Sequence, residues 1–129
     1  MFTVEQIKQA HAKVRSGADF PAYIQAIKQL GVIGYETMVT DSRNRYFGNA
    51  GFTAEAAPMY APLFIAAATN TDLFRERLKM HQAGKTDYRT FCQDCADCGV
   101  EKWVVSLDAM TCTYFDQQGN EVLVEKVPG

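Results

Sequence analysis

The chain has 129 residues, 47% of them hydrophobic and 22% charged, with a net charge of −2. That length suits one domain that buries a core without staples, and the composition argues against disorder. No Lys/Arg cluster stands out, which speaks against a phosphate-binding face for nucleic acid, and the most apolar stretch, Tyr60 to Ala68, is too short to span a bilayer.

The opening residues, Met1 to Glu5, lack a charged region followed by an apolar run. They read as something other than a signal peptide, so a soluble, cytoplasmic protein is expected, with its four cysteines as reduced thiols.

The first helix is expected from Thr3, which has Gln6 at capping-box spacing and Val4, Ile7, His11 and Val14 on one face. A second should follow Asp19 as N-cap, burying Phe20, Tyr23, Ile24, Ile27 and Leu30, and stop at Gly31-Val32 in a Schellman-type ending. Alternation through Tyr35, Thr37 and Val39 predicts a strand. The polar turn Asp41 to Asn44 and a short strand through Tyr46-Phe47 come next. The third strand of this half is placed at Leu63 to Ala67, delayed by an insertion from Phe52 to Pro62.

The remainder repeats this order. A helix from about Asn70 to Gln82 is followed by one capped by Asp87 and ended by Gly99-Val100. A strand with Trp103, Val105 and Leu107 on one face leads through Tyr114-Phe115, the hairpin loop Asp116 to Asn120, and a last strand from Val122 to Val127. A shift of 87 − 19 = 68 residues superposes Asp19 on Asp87, Gln25 on Gln93, Gly31-Val32 on Gly99-Val100, Tyr46-Phe47 on Tyr114-Phe115 and Gly51 on Gly119. Upstream, dropping one residue superposes His11 on Leu78, Val14 on His81 and Gly17 on Gly84. The expected fold is a single α+β domain over residues 1–129, a tandem duplication of an α-α-β-β-β unit (about 3–67 and 70–127). Its strands should be antiparallel, with helices mainly on one side and a possible groove between the halves.

The cysteine run Cys92-x-x-Cys95-x-x-Cys98 has the look of a metal or cluster motif. Its own repeat supplies a control, because the matching residues are Ile24, Ile27 and Leu30, the buried face of a helix. Core packing is therefore the expectation, with a metal-binding protein as an alternative. Cys112 matches Asn44 instead, and His81 is its only candidate base in the second half; together they would make a thiol-dependent enzyme. Tyr35, Tyr46, Phe47, Trp103, Tyr114 and Phe115 recur as matched aromatics, which reads as core before pocket. No glycine-rich phosphate loop or nucleophile elbow occurs.

Three runs in the second half carry a resemblance: His81 to Phe91 (HQAGKTDYRTF), Gly99 to Val105 (GVEKWVV) and Met110 to Asp116 (MTCTYFD). With Gly119-Asn120 and Glu125 to Pro128, they resemble the YbcV-like family of small enterobacterial proteins, some of which carry a phage envelope label. The resemblance implies a fold unit of this size and a possible prophage history, but no activity or catalytic residues.

From the density of polar and aromatic residues, a site would involve His81, Gln82, Thr86, Asp87, Trp103, Cys112 and Tyr114. The leading expectation is a non-enzymatic domain that binds a small molecule or a protein, phage-derived or accessory, with no cofactor and no catalytic residues. A homo-oligomer is possible.

Overall fold

In the computed structural model, which describes residues 2–14 and 19–127, chain order is α1 Val4–His11, α2 Phe20–Gln29, β1 Gly34–Met38, β2 Asn44–Phe47 and β3 Thr53–Ala56. Then come α3 Thr71–Gln82, α4 Tyr88–Asp97, β4 Val100–Ser106, β5 Thr111–Asp116 and β6 Glu121–Lys126. The α-α-β-β-β order thus occurs twice. No helix among the described residues is long and apolar enough to cross a membrane.

Local chemistry explains most of these boundaries. Thr3 and Gln6 form a reciprocal capping box, with Gln6 N–H donating to Thr3 Oγ1 (3.2 Å) and Thr3 N–H to Gln6 Oε1 (2.9 Å). Asn70 caps α3 through Leu73 N–H, and Asp87 caps α4 through Thr90 N–H at 2.8 Å. Asp19 does not repeat this role: its backbone is helical and its side chain does not cap. α2 ends in the expected Schellman motif, with Gly31 at φ +103°, Val32 N–H on Ile27 O and Gly31 N–H on Lys28 O. α1 is shorter than its apolar spacing suggests. It tightens after His11 into i→i−3 bonds, leaving Val14 beyond the helix.

All six strands form one antiparallel sheet in the order β3-β2-β1-β4-β5-β6. The order is a palindrome of the two halves. At its centre β1 and β4 pair with Tyr35 opposite Val105, Glu36 opposite Val104 and Thr37 opposite Trp103. Since 104 − 36 = 68, the repeat shift carries the Glu36–Val104 pair onto itself, so an approximate two-fold axis passes there. The flanking bonds obey it: Val39 N–H donates to Glu101 O (2.8 Å), and Leu107 N–H to Ile33 O (2.9 Å).

The expected strand at Leu63 to Ala67 is corrected. β3 starts at Thr53, directly opposite Phe47, because the turn through Asn49–Gly51 closes a tight hairpin. Gly48 N–H bonds Phe52 O, just as Asp116 N–H bonds Asn120 O 68 residues later. The extra chain therefore follows β3. Leu63 N–H reaches Thr40 O, Ala66 N–H reaches Ala96 O, and Ile65 is buried. The apolarity that suggested a strand instead seals the end of α4.

One sheet face carries Tyr35, Thr37, Tyr46, Trp103, Val105, Cys112 and Tyr114, all buried. Helical rings meet it: Tyr23 packs on Tyr35, Phe91 on Trp103 and Phe74 on Tyr114. Ile7, Ile24, Ile27, Phe74, Cys92 and Cys95 complete the core at 0–1% exposure.

Candidate functional site

A cavity of about 330 Å³ opens above the centre of the sheet. Most of its wall residues fall at matched positions of the two halves. Eight aromatic side chains line it, and a shift of 68 sorts them into four pairs: Phe20 with Tyr88, Tyr23 with Phe91, Tyr35 with Trp103, and Tyr46 with Tyr114. Asn44 and Cys112 form a fifth pair, and Val14 and His81 a sixth at the upstream shift of 67. The cavity therefore straddles the approximate two-fold axis, and corresponding elements of both halves wall it.

Within each half the rings touch in series. Phe20 meets Tyr23, Tyr23 meets Tyr35, and Tyr35 meets Tyr46; in the other half Tyr88 and Phe91 meet Trp103, which meets Tyr114. Between the halves His11 spans the gap, edge-on to Tyr23 and to Tyr88 at 5.3 Å each. His81 lies flat on Phe91 (4.3 Å, 8° between planes). Its Nδ1 sits 3.1 Å from Thr86 O and 3.2 Å from Thr86 Oγ1.

The polar groups divide into occupied and spare ones. The Ser42 and Tyr88 hydroxyls are 2.7 Å apart. Thr37 Oγ1 donates to Asn44 Oδ1, and Asn44 Nδ2 donates to Ser42 O. The Tyr23 and Tyr46 hydroxyls lie close enough to perturb each other's ionisation. At the rim Gln82 Nε2 reaches Glu125 Oε2 at 3.1 Å, tying α3 to β6. The Tyr35 hydroxyl, the Trp103 indole N–H and the His11 imidazole have no hydrogen-bond partner among the described residues, and these polar atoms are not sealed from solvent.

Burial sets the charge state. It lowers the pKa of both imidazoles, although Thr86, Asp87 and Asp94 partly oppose the effect at His81. It raises the phenols of Tyr23, Tyr35, Tyr46, Tyr88 and Tyr114. At pH 7 these walls are neutral; the charged lining residues, Glu125 and Lys126, come from the outermost strand.

Of the seven residues singled out from sequence, His81, Gln82, Trp103, Cys112 and Tyr114 line this cavity. Thr86 and Asp87 do not: one positions His81 and the other caps α4. Phe47 and Phe115 lie on the opposite sheet face, away from their neighbours Tyr46 and Tyr114, because strand side chains alternate. His11, Tyr23, Asn44 and Tyr88 escaped the sequence reading as site residues. The available signal was the repeat itself, since all four match residues of the other half that line the same cavity.

The cysteines are all buried and reduced. Cys92, Cys95 and Cys98 face the core as Ile24 and Ile27 do, and burial pushes their thiols up. No group of three or more His, Cys, Asp or Glu among the described residues is placed to hold an ion. Cys112 is pushed up to about 12 by burial, outweighing a hydrogen bond with Tyr114, and no hydrogen bond joins it to His81. Such a thiol is protonated at neutral pH and is a poor nucleophile.

No curated protein matches the sequence. One family model matches residues 8–126, which is nearly the whole chain, and the protein therefore belongs to that family, a protein of unknown function (DUF1398).

Proposed function

We propose that this chain is a non-enzymatic binding domain that holds one small molecule in the cavity between its halves. The observation that carries the reading is the cavity's construction. It has a volume at the lower end of the roughly 300–1,000 Å³ of ligand pockets, mostly apolar walls and a few spare polar groups. An open gap of that kind in an otherwise packed core forfeits dispersion contacts, and a ligand would recover them. The thiol-enzyme reading draws less support, given a Cys112 thiol near 12 with no bond to His81. The cysteine triplet serves packing better than metal binding, since its mates are core isoleucines and a leucine. The likeness to YbcV-like proteins favours an accessory, prophage-derived role, and descent of both halves from one unit accounts for the shared 68-residue register.

Trp103 is the single tryptophan and lines the cavity, so it reports on the site directly. The neutral dye N-phenyl-1-naphthylamine should bind one-to-one, quench Trp103 and raise the melting temperature. The double variant Val14→Phe, Gln82→Phe crowds the cavity from half-buried and exposed positions. It should weaken the dye at least about tenfold while keeping the fold. A wild-type protein that leaves the dye free, or a crowded variant that binds it undiminished, refutes the assignment.

A further inference from the structure

The two ring clusters point to a more specific occupant. Each cluster is continuous within its half, and His11 bridges them at one edge. The cavity is the gap they leave, so its missing piece is another ring. Aromatic groups gain beyond simple burial when stacked offset or edge-on at centroid distances of about 4.5–7 Å, the spacing the existing rings already keep.

The floor supplies a specific contact. Tyr35 sits beside Glu36, where the axis passes, at 4% exposure. The hydroxyls of Tyr23, Tyr46 and Tyr88 and the thiol of Cys112 are all near enough to influence its own. Tyr88 is engaged by Ser42, and the Tyr23 and Tyr46 hydroxyls lie near each other, while the Tyr35 hydroxyl has no hydrogen-bond partner among the described residues. A hydroxyl that no protein group occupies keeps its donor and acceptor free for whatever enters the cavity. Nothing on the floor offers a full charge; Glu125 and Lys126 reach the cavity only from edge strand β6.

We propose that the cavity takes a flat, uncharged aromatic molecule bearing one hydroxyl or carbonyl group, with its ring between the two aromatic clusters and its polar group on the Tyr35 hydroxyl. This rests on the cavity being a ligand site. It adds that recognition is by ring stacking and one neutral hydrogen bond. The residue matching Tyr35 is Trp103, whose indole only donates, so the two sides of the axis offer the ligand different polar contacts.

Probes on one ten-carbon skeleton test it by calorimetry: 2-naphthol, naphthalene, 2-naphthoate, 2-naphthylmethylammonium and decahydro-2-naphthol. The expected order places 2-naphthol first, with both ions and the saturated alcohol at least about tenfold weaker. Tyr35→Phe should weaken 2-naphthol about 5–10-fold and leave naphthalene unchanged, since only one neutral hydrogen bond is lost. It should not lower the melting temperature of the empty protein, because the hydroxyl it removes has no partner there. If an ion or the saturated alcohol matches 2-naphthol, or Tyr35→Phe binds 2-naphthol normally, the ligand class is wrong while the cavity remains a site. If neither these probes nor N-phenyl-1-naphthylamine binds, both the class and the site fall.

Discussion

The two halves share a scaffold and differ in what they hang on it. Where a side chain faces the core, the halves exchange one apolar residue for another: Ile7 for Phe74, Ile24 for Cys92, Ile27 for Cys95, Val39 for Leu107. Around the cavity they exchange apolar for polar: Val14 for His81, Phe20 for Tyr88, Phe91 for Tyr23, Leu78 for His11. Packing constrains the first set to hydrophobic residues of fitting shape. The second set borders open space, where a hydroxyl or imidazole can be carried without losing a contact. The contrast separates residues that hold the fold from residues available for recognition, and it needs only one sequence.

The comparison is most sharply broken in the core. If the cysteines are packing residues, they contribute as small hydrophobes, less than their larger mates. Ile27 and Cys95 are both fully buried at matched positions. Ile27→Ala should cost about 3–4 kcal/mol through lost burial and the cavity left behind. Cys95→Ala removes one sulfur and should cost about 1 kcal/mol. Urea unfolding would measure both. A Cys95→Ala cost equal to that of Ile27→Ala would mean that the thiol has a role its twin lacks.

The matched helix-ending glycines come next. Gly31 and Gly99 both have positive φ, +103° and +82°. A Cβ on Gly31 would meet only Phe2 Cδ2 at 4.0 Å, whereas one on Gly99 would lie 2.6 Å from Ala68 O. Gly31→Ala should therefore cost about 1–2 kcal/mol, the left-handed strain alone. Gly99→Ala adds overlap with backbone that cannot swing aside and should cost about 2–4 kcal/mol. Thermal unfolding of the two variants would check the order. Equal losses would show that the segment after β3, where Ala68 lies, yields freely.

These pairs also show what the sequence could and could not reveal. Helix ends and strand faces were legible because capping residues, glycines and period-two alternation act locally, and Thr3, Gly31 and Trp103 each sit as their neighbours dictate. The third strand of the first half was not, because Leu63 to Ala67 is apolar for a tertiary reason: Ile65 is buried beside α4. Thr53 to Ala56, the actual strand, is a weakly patterned edge whose pairing comes from the hairpin. At the site, polar density marked one wall and overlooked the other. His11, Tyr23 and Asn44 are unremarkable in their own segments and become neighbours of His81 and Cys112 only when the central β1–β4 pairing brings the halves face to face.

The smallest effect expected is also the one that best discriminates the halves. Burial lowers both imidazole pKa values below the ordinary 6.5, so the unfolded chain takes up protons more readily than the folded one near and below that pH. Their neutral burial is fully tolerated above pH 6.5 and becomes a growing cost as pH falls toward the lowered folded values. Asp87 and Asp116, whose carboxyls are lowered by hydrogen bonds, also lose their contribution on acidification, but below their ordinary 3.8 and so in a separate window. His81 Nδ1 can donate to the Thr86 carbonyl and lies near the carboxylates Asp87 and Asp94, all of which support a proton; His11 faces Tyr23 and Tyr88, neutral rings that offer no hydrogen bond or carboxylate. Replacing each histidine by its twin, His11→Leu and His81→Val, should flatten the fall in melting temperature between pH 7 and pH 5, and His11→Leu should flatten it more. The slope is the informative quantity, since His81→Val also forfeits the stack on Phe91 and lowers stability at every pH. A steeper slope in His11→Leu, or no change in either variant, would place the imidazoles in water and remove the picture of a neutral, aromatic-walled cavity.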